Sequence, residues 1–369
     1  MAFYGTVFFL LTAICYVILS STAQETIKTS RPHIIFIFAD DLGWNDISFH
    51  GSPQIPTPNL DALASSGILL NNYYAERLCT PSRAALLTGK YPIRLGLQHF
   101  VIKANEPTAL PLQEKTMAQH FKELGYATHM VGKWHLGYHR KEYTPTYRGF
   151  DSFFGYYNGY IDHYDYTHFY PPPGLKIPKY FFGVDLHNGS GAVKNVRGQY
   201  AADLFTEKAK NIIQNHDESQ PLFLYLAHLA VHTGNDQMPL QAPPDLVNRF
   251  GHIENDSRRT FAGMVSALDK SVGDVFQALH DKDMLSNTIF VFSSDNGGET
   301  NETIGGYSSN YPLRGKKWHV WEGGVRIPGF IWSPLLQLQE PRVSMQLMHI
   351  TDWLPTLYSA AGKITITPF

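Results

Sequence analysis

Four short apolar runs, each followed by polar residues, constrain the fold of this 369-residue chain more than any other feature of its sequence. The runs cover residues 33–39, 127–131, 222–231 and 288–294. The first run, at residues 33–39, is too continuous for a half-exposed strand and predicts a strand in the centre of the sheet. The polar residues that follow the runs are, in chain order, Asp40 and Asp41, Lys133 and His135, His232, and Asp295 and Asn296.

Helix-like stretches at residues 116–124, 199–213 and 258–280 separate these runs. Strands joined by helical crossovers run parallel, so the sequence predicts an α/β fold with a mostly parallel sheet flanked by helices. In such sheets, ligands bind beyond the carboxyl ends of the strands, and we expect the four polar clusters to meet in one crevice there. Residues 170–174 and 297–311 are rich in turn formers and predict surface loops.

The composition is that of a folded protein without a strong electrostatic field. Hydrophobic residues make up 43% of the chain and charged residues 17%, enough for a large core in one or two domains. The formal net charge is -2, so no nucleic-acid partner is expected.

The first 23 residues predict a secretory signal peptide. An apolar run at residues 7–19 is followed by Ser21-Thr22-Ala23, the small residues of a cleavage site. The run is shorter than the roughly 20 residues of a membrane span, so no stable membrane insertion is expected, although a retained anchor is the alternative. Three N-glycosylation sequons, at Asn188, Asn255 and Asn301, agree with the secretory pathway and with a lysosomal or extracellular destination.

The two polar pairs Asp40-Asp41 and Asp295-Asn296 suggest a metal site. Adjacent carboxylates in a desolvated place repel each other unless a cation joins them. An oxygen-only ligand set favours Ca²⁺ or Mg²⁺ over zinc, and export favours calcium. The alternative is that each aspartate is a turn residue.

Cys79 is the only cysteine left once the predicted signal peptide and its Cys15 are removed. No internal disulfide can then form, and an inert buried thiol or an intermolecular bridge would explain a lone cysteine. Pro81 is placed to open a helix that runs through Leu87, which puts Cys79 just before a helix N-terminus. Such a position favours an oxyanion.

The segment from Cys79 to Gly89 reads C-x-P-S-R followed by T-G, which resembles the sulfatase signature in which the cysteine is oxidised to formylglycine. The resemblance extends from Arg31 to about Gly362 and is greatest to sulfatases of the arylsulfatase B (N-acetylgalactosamine-4-sulfatase) type. It implies an alkaline-phosphatase-like mixed sheet and a catalytic domain over residues 24–362. Further matching segments begin at Phe38, Thr128, Arg148, Ser294, Pro312 and Trp321.

The resemblance also implies a role for each candidate residue. Cys79, converted by the formylglycine-generating enzyme, would carry the oxygen that attacks sulfur, and Ca²⁺ would polarise the sulfate. His232 would be the acid for the leaving oxygen, and His135 would take a proton from the remaining hydroxyl. Arg83 would steady the diol, and Lys133 and Lys317 would face the sulfate oxygens, although Arg314 and Lys316 lie close to Lys317 in sequence. The implied metal ligands are Asp40, Asp41, Cys79, Asp295 and Asn296.

The implied substrates are sulfate esters, such as N-acetylgalactosamine 4-sulfate, another sugar sulfate or a small-molecule sulfate. Residues 363–369 do not resemble the family's continuation, so we expect its smaller C-terminal domain to be missing and an apolar face to be uncovered. The alternatives are an inactive or misfolded glycan binder and, less favoured, a phosphoester hydrolase. The aromatic residues between Phe153 and Tyr166 would line a sugar or aryl site or pack in the core.

Overall fold

Strand β1, His33–Ala39, lies near the centre of a ten-stranded sheet and is buried along its whole length. The computed structural model describes residues 31–170, 181–235, 238–338 and 340–362. The predicted signal peptide, most of the predicted loop at 170–174 and the tail at 363–369 lie outside these residues. The predicted boundaries of the catalytic domain therefore stay predictions.

The strands and helices of the described residues follow the alternation that the sequence predicts. The further strands are β2 (Ile68–Tyr74), β3 (Ala127–Lys133), β4 (Ser152–Tyr156), β5 (Thr167–Tyr170), β6 (Phe181–Val184), β7 (His187–Asn188), β8 (Gly191–Ala192), β9 (Leu222–Ala227), β10 (Thr288–Ser294), β11 (Gly329–Trp332) and β12 (Arg342–His349). The α-helices are α1 (Pro58–Ser66), α2 (Cys79–Thr88), α3 (Met117–Glu123), α4 (Ala201–Gln214), α5 (Pro244–Val247), α6 (Asp256–Asp281), α7 (Glu322–Val325) and α8 (Trp353–Ala360).

The sheet has the strand order β12-β2-β11-β10-β1-β9-β3-β4-β7-β8. β1 pairs in parallel with β9 and β10, and β9 pairs in parallel with β3, as the helical crossovers predict. β11 is antiparallel to both of its neighbours, which makes the sheet mixed. β5 and β6 form a separate antiparallel pair.

Successive side chains of β1 point to opposite faces of the sheet and enter two apolar cores, one on each face. Ile35 and Ile37 pack with residues of α1, α4 and α6 in one core. Phe36 and Phe38 pack with residues of α2, α3 and α8 in the other. Because both faces are covered, polar side chains can leave the central strands only at their ends.

Three details differ from the sequence predictions. β9 ends at Ala227 rather than at 231, so His232 lies on a turn beyond the strand. α2 begins at Cys79 itself, with Leu78 as the N-cap residue, rather than at Pro81. The segment 297–311 is not only a surface loop, because Glu299 and Asn310 are buried. No helix in the described part of the chain is long and apolar enough to cross a membrane.

Candidate active site

The ends of β1, β3 and β10 bring five of the predicted residues to one edge of the sheet. Asp40 and Asp41 follow β1, Lys133 is the last residue of β3, and Asp295 and Asn296 follow β10. The parallel registers of β1 with β10 and β9, and of β9 with β3, place these ends along one edge of the sheet. The predicted convergence of the polar clusters is therefore found in the structure.

Cys79 lies in the first turn of α2, a helix in which all ten residues are buried. Its Sγ is 3.7 Å from Oδ1 of Asp40 and 4.0 Å from Oδ1 of Asp41. Burial raises the pKa of the thiol to about 12, and Asp295 adds to this effect while Lys133 and Lys317 oppose it. At neutral pH the thiol is therefore protonated and a poor nucleophile.

Asp40 and Asp295 share the guanidinium of Arg83. Nη2 of Arg83 lies 2.8 Å from Oδ2 of Asp295 and 3.7 Å from Oδ1 of Asp40, whose Oδ2 accepts a 2.6 Å hydrogen bond from Lys133 Nζ. Burial and the charge of Asp295 raise the pKa of Asp40 to about 7, although Lys133 and Arg83 oppose this. The pKa of Asp295 is lowered, because Arg83 and Lys133 outweigh the effect of burial.

Asp41 joins the second lysine to the amide of Asn296. Its Oδ2 accepts a 2.6 Å hydrogen bond from Nζ of Lys317, and its Oδ1 accepts one of 2.7 Å from Nδ2 of Asn296. Nε2 of His232 lies 3.6 Å from Oδ2. Burial alone would raise the pKa of Asp41, but the charges of Lys317 and Lys133 hold it well below its usual range.

His135 and His232 each use one ring nitrogen to bind a backbone carbonyl. Nε2 of His135 is 3.0 Å from the oxygen of Ile102, and Nδ1 of His232 is 2.7 Å from the oxygen of Thr233. A carbonyl can only accept, so these nitrogens carry the hydrogens in the neutral rings. Nδ1 of His135 is buried without a hydrogen-bond partner among the described residues and has a free lone pair.

Both histidines are neutral in this environment. Burial lowers the pKa of His232 to about 3, with a further contribution from Lys317. Burial and the charge of Lys133 place the pKa of His135 well below 6.5. A neutral His135 fits a base, whereas His232 needs an added anion nearby before it can hold a proton to donate.

The residues present fit a hard divalent cation. Oδ1 of Asn296 is buried and has no hydrogen-bond partner among the described residues, although its Nδ2 is fully used. One ligand atom each from Asp40, Asp41, Cys79 and His232 lie within 4.8 Å of one another. The carboxylate and amide oxygens suit Ca²⁺ or Mg²⁺, and the sequence prediction had included Asp295 and Asn296 rather than His232.

A cavity of about 200 Å³ opens beside Cys79. Two larger cavities of about 590 and 480 Å³ contain none of the predicted catalytic residues. The candidate active site is therefore identified by the residues that line it and not by the volume of its cavity. Of the predicted aromatic residues, only Tyr160 lines this cavity, and Phe153, Tyr156, Tyr157 and Tyr166 pack in the cores. Asn158, His168 and Trp318 also line the cavity and were not predicted from the sequence. Only Trp318 has a signal in the sequence, its position beside Lys317.

Similarity to known proteins decides the family. The model of the family described as Sulfatase matches residues 32–363. The chain belongs to the sulfatase family. It is 47% identical over 342 residues to arylsulfatase J of Mus musculus, covering 92% of this chain and 54% of that protein. It is 34% identical over 351 residues to arylsulfatase A of Homo sapiens, covering 90% of this chain and 64% of that one.

A solved structure shows the same fold. The structure of Ps i-CgsB in complex with k-i-k-neocarrahexaose has a TM-score of 0.80 and 34% sequence identity, and the match covers 91% of this chain and 73% of that one. The mixed sheet with flanking helices is thus the sulfatase fold predicted from the sequence. This sulfatase chain spans about half to two-thirds of the length of the two curated relatives described above.

Proposed function

We propose that this chain hydrolyses sulfate esters, with residue 79 as nucleophile after oxidation of Cys79 to formylglycine. The observation that carries the proposal is the seat of Cys79. It occupies the first turn of a buried helix, its Sγ lies within 4.0 Å of two carboxylates, and Lys133 and Lys317 each bind one of them. A sulfate group beside residue 79 would meet positive charge from the helix N-terminus and both lysines.

Calcium is the metal we propose, held by Asp40, Asp41, Asp295 and Asn296 together with residue 79. The unpartnered Oδ1 of Asn296 and the carboxylates of Asp40 and Asp41 support this set. When bound, the cation would draw electron density from the sulfate oxygens, and the hydrated aldehyde would provide one hydroxyl for attack on sulfur and a second for release of the sulfate.

The side chains around residue 79 then have separate tasks. Arg83 fixes Asp295 through two hydrogen bonds, of 3.2 and 2.8 Å, to the same carboxylate oxygen. His135, which lines the same cavity as Cys79 and has a free Nδ1, would take a proton from a hydroxyl on residue 79. His232 presents Nε2 toward the site and would donate a proton to the leaving oxygen once sulfate raises its proton affinity.

The substrate we propose is a sulfated sugar or a small-molecule sulfate, with the ring against the wall made by Tyr160 and Trp318. Sugar ligands in a related solved structure support this, since Ps i-CgsB was crystallised with a neocarrahexaose. The formylglycine-generating enzyme would be a partner during synthesis in the secretory pathway. The protein would carry glycans on one or more of its sequons and would be delivered to the lysosome or the cell exterior.

The decisive experiment is co-expression with the formylglycine-generating enzyme, followed by mass spectrometry of the peptide around Cys79 and assays on aryl and sugar sulfates. We expect an aldehyde at residue 79 and turnover that requires it. Cys79→Ser should keep calcium binding and lose turnover, because a serine sulfate has no second hydroxyl to expel it. Turnover by Cys79→Ser at the wild-type rate would contradict the formylglycine mechanism.

A further inference from the structure

Glu299 is a buried carboxylate three residues beyond Asn296, and only 7% of its surface is exposed. Oε1 accepts a 2.6 Å hydrogen bond from Nζ of Lys316, and Oε2 accepts one of 2.8 Å from the indole Nε1 of Trp318. The two partners are the residues on either side of Lys317. One carboxylate therefore ties down both neighbours of a lysine that reaches the centre of the site.

Several contacts hold the short segment around Lys317 in one conformation. The amide of Lys317 donates to the oxygen of Gly298 at 3.1 Å, and the amide of Trp318 donates to the oxygen of Arg77 at 3.0 Å. The side chain of Arg77 donates in return from Nη1 to the oxygen of Trp318 at 2.7 Å. Trp318 has a φ of +79°, in the left-handed region that bulky residues avoid. Such a conformation persists only where the surroundings over-determine it, and it is typical of functional sites.

In this conformation the side chains of Lys316, Lys317 and Trp318 point to different partners. The ammonium of Lys317 binds Asp41, that of Lys316 points to Glu299 instead, and the ring of Trp318 lines the cavity beside Cys79. The Trp318 ring also packs against Phe100, with ring centroids 5.3 Å apart. Without the carboxylate, the indole would lose its acceptor and Lys316 its counter-ion, so the two residues that flank Lys317 would no longer be fixed.

We propose that Glu299 is a positioning residue, which sets Lys317 toward the sulfate and holds the Trp318 ring as the wall that contacts the ring of the substrate. The inference rests on the proposed sulfate-ester hydrolysis. Glu299 itself does not line the cavity beside Cys79. Its effect on turnover passes through Lys317, and its effect on substrate affinity passes through Trp318.

The kinetic test compares four variants of the chain co-expressed with the formylglycine-generating enzyme, on one-ring and two-ring aryl sulfates. Glu299→Ala should lower kcat/KM by roughly 10- to 100-fold, with KM raised and kcat lowered. Glu299→Gln keeps an acceptor for the indole and should restore much of KM. Trp318→Phe keeps an aromatic ring but lacks the indole N–H that binds Glu299. Glu299→Ala combined with Trp318→Phe should therefore raise KM by less than the product of the single effects.

Glu114→Ala is the matched control, because Lys90 and Glu114 form an equally short 2.6 Å ion pair, with side chains 27% and 15% exposed, away from the cavity. It should leave KM and kcat close to wild type. Glu299→Ala with the kinetics of this control, or KM effects that multiply independently in the double variant, would overturn the positioning role.

A readout that does not need turnover separates this inference from the proposed function. The ¹⁵N–¹H signal of the Trp318 indole is assigned as the one that Trp318→Phe removes. Glu299→Ala should move it strongly, Glu299→Gln less, and Glu114→Ala not at all. If the wild type hydrolyses no sulfate ester but the indole signal moves, the proposed function fails while the hold of Glu299 on Trp318 stands. An unmoved signal refutes that hold.

Discussion

The carboxyl ends of the central strands bury charged side chains, whereas the edge strand β12 exposes apolar ones. Behind Asp40 and Asp295 the strands β1 and β10 are buried at every position, yet these strands deliver buried charges. β12, at the outer edge of the sheet, has no buried residue and exposes Met345 and Leu347. Apolar side chains are thus exposed to solvent at the edge of the sheet, while carboxylates are buried at the ends of its central strands.

This contrast shows where the fold can accommodate charged groups whose burial is unfavourable. A desolvated carboxylate costs several kcal/mol unless it is paired, so it needs a rigid surrounding that fixes its partners. The double-sided core around β1 provides that rigidity for the carboxylates, and Arg83, Lys133 and Lys317 each pair with one of them. The edge strand has few packed neighbours and exposes its side chains, so changes there should cost little.

The largest effect that would sharpen this contrast is expected for Arg83→Ala. Removal of the guanidinium leaves Asp295 buried without a counter-ion, which should lower the free energy of unfolding by about 3–5 kcal/mol. Urea unfolding measures it, with Lys282→Ala as the control, because the pair of Lys282 with Glu218 is solvent-exposed at 30% and 61%. An Arg83→Ala protein as stable as the control would show that the central charges do not depend on pairing.

Calcium should give the next largest effect. At a free concentration 100 times its Kd, the ion should stabilise the folded chain by about 2.7 kcal/mol, because it binds only the folded site. Asp40→Ala and Asp295→Ala should abolish this gain in thermal unfolding. Asp269→Asn, a buried carboxylate that binds Asn59 and the amide of Leu60, should keep it. Stoichiometric calcium in both alanine variants would contradict the proposed ligand set.

Much of the centre could be predicted from the sequence because each apolar run ends where its polar residues begin. β1 and β10 occupy the predicted bounds, and their register alone brings Asp40 and Asp295 together. β9 shows the limit, since apolar residues 229–231 follow His228 after the strand has ended. Hydrophobicity does not distinguish a buried turn from a buried strand.

The rest of the site depends on contacts between distant segments, which no local pattern encodes. Ile102 binds His135 through its backbone oxygen, which any residue could provide. Tyr160 stacks on His232 with ring planes 10° apart, but its sequence neighbours Phe153 and Tyr156 enter the cores instead. The spacing of aromatic residues alone could not separate the cavity wall from the core.

A smaller effect, a change of stability with pH, is expected from His228, a buried neutral group just beyond the end of β9. Burial lowers the pKa of His228 to about 3, and its Nε2 is 2.9 Å from Oγ of Ser271. Between pH 3 and the unfolded value near 6.5 the unfolded chain binds more protons, so stability is lost as pH falls below 6.5, by about 1.4 kcal/mol per pH unit. His228→Gln should remove this loss in unfolding curves at pH 7.5 and 5.5.

The exposed His252→Gln is the control for this pH effect and should behave as the wild type. Asp40, with its pKa raised to about 7, acts with the opposite sign, because it favours the folded state at low pH. Asp40 is present in both variants, so the difference between them isolates His228. Equal pH dependence in the wild type and His228→Gln would show that this ring is not kept neutral.

The smallest effect is expected at the edge, for Leu347→Thr in β12. Leu347 is 81% exposed, so its replacement removes almost no buried apolar surface and should change the free energy of unfolding by less than about 0.5 kcal/mol. Phe36→Ala, in the middle of β1 with no exposure, should cost about 3–5 kcal/mol by the same urea measurement. A large loss for Leu347→Thr would mean that the exposed side chain is covered in solution, and concentration-dependent unfolding would then identify a second copy of the chain as the cover.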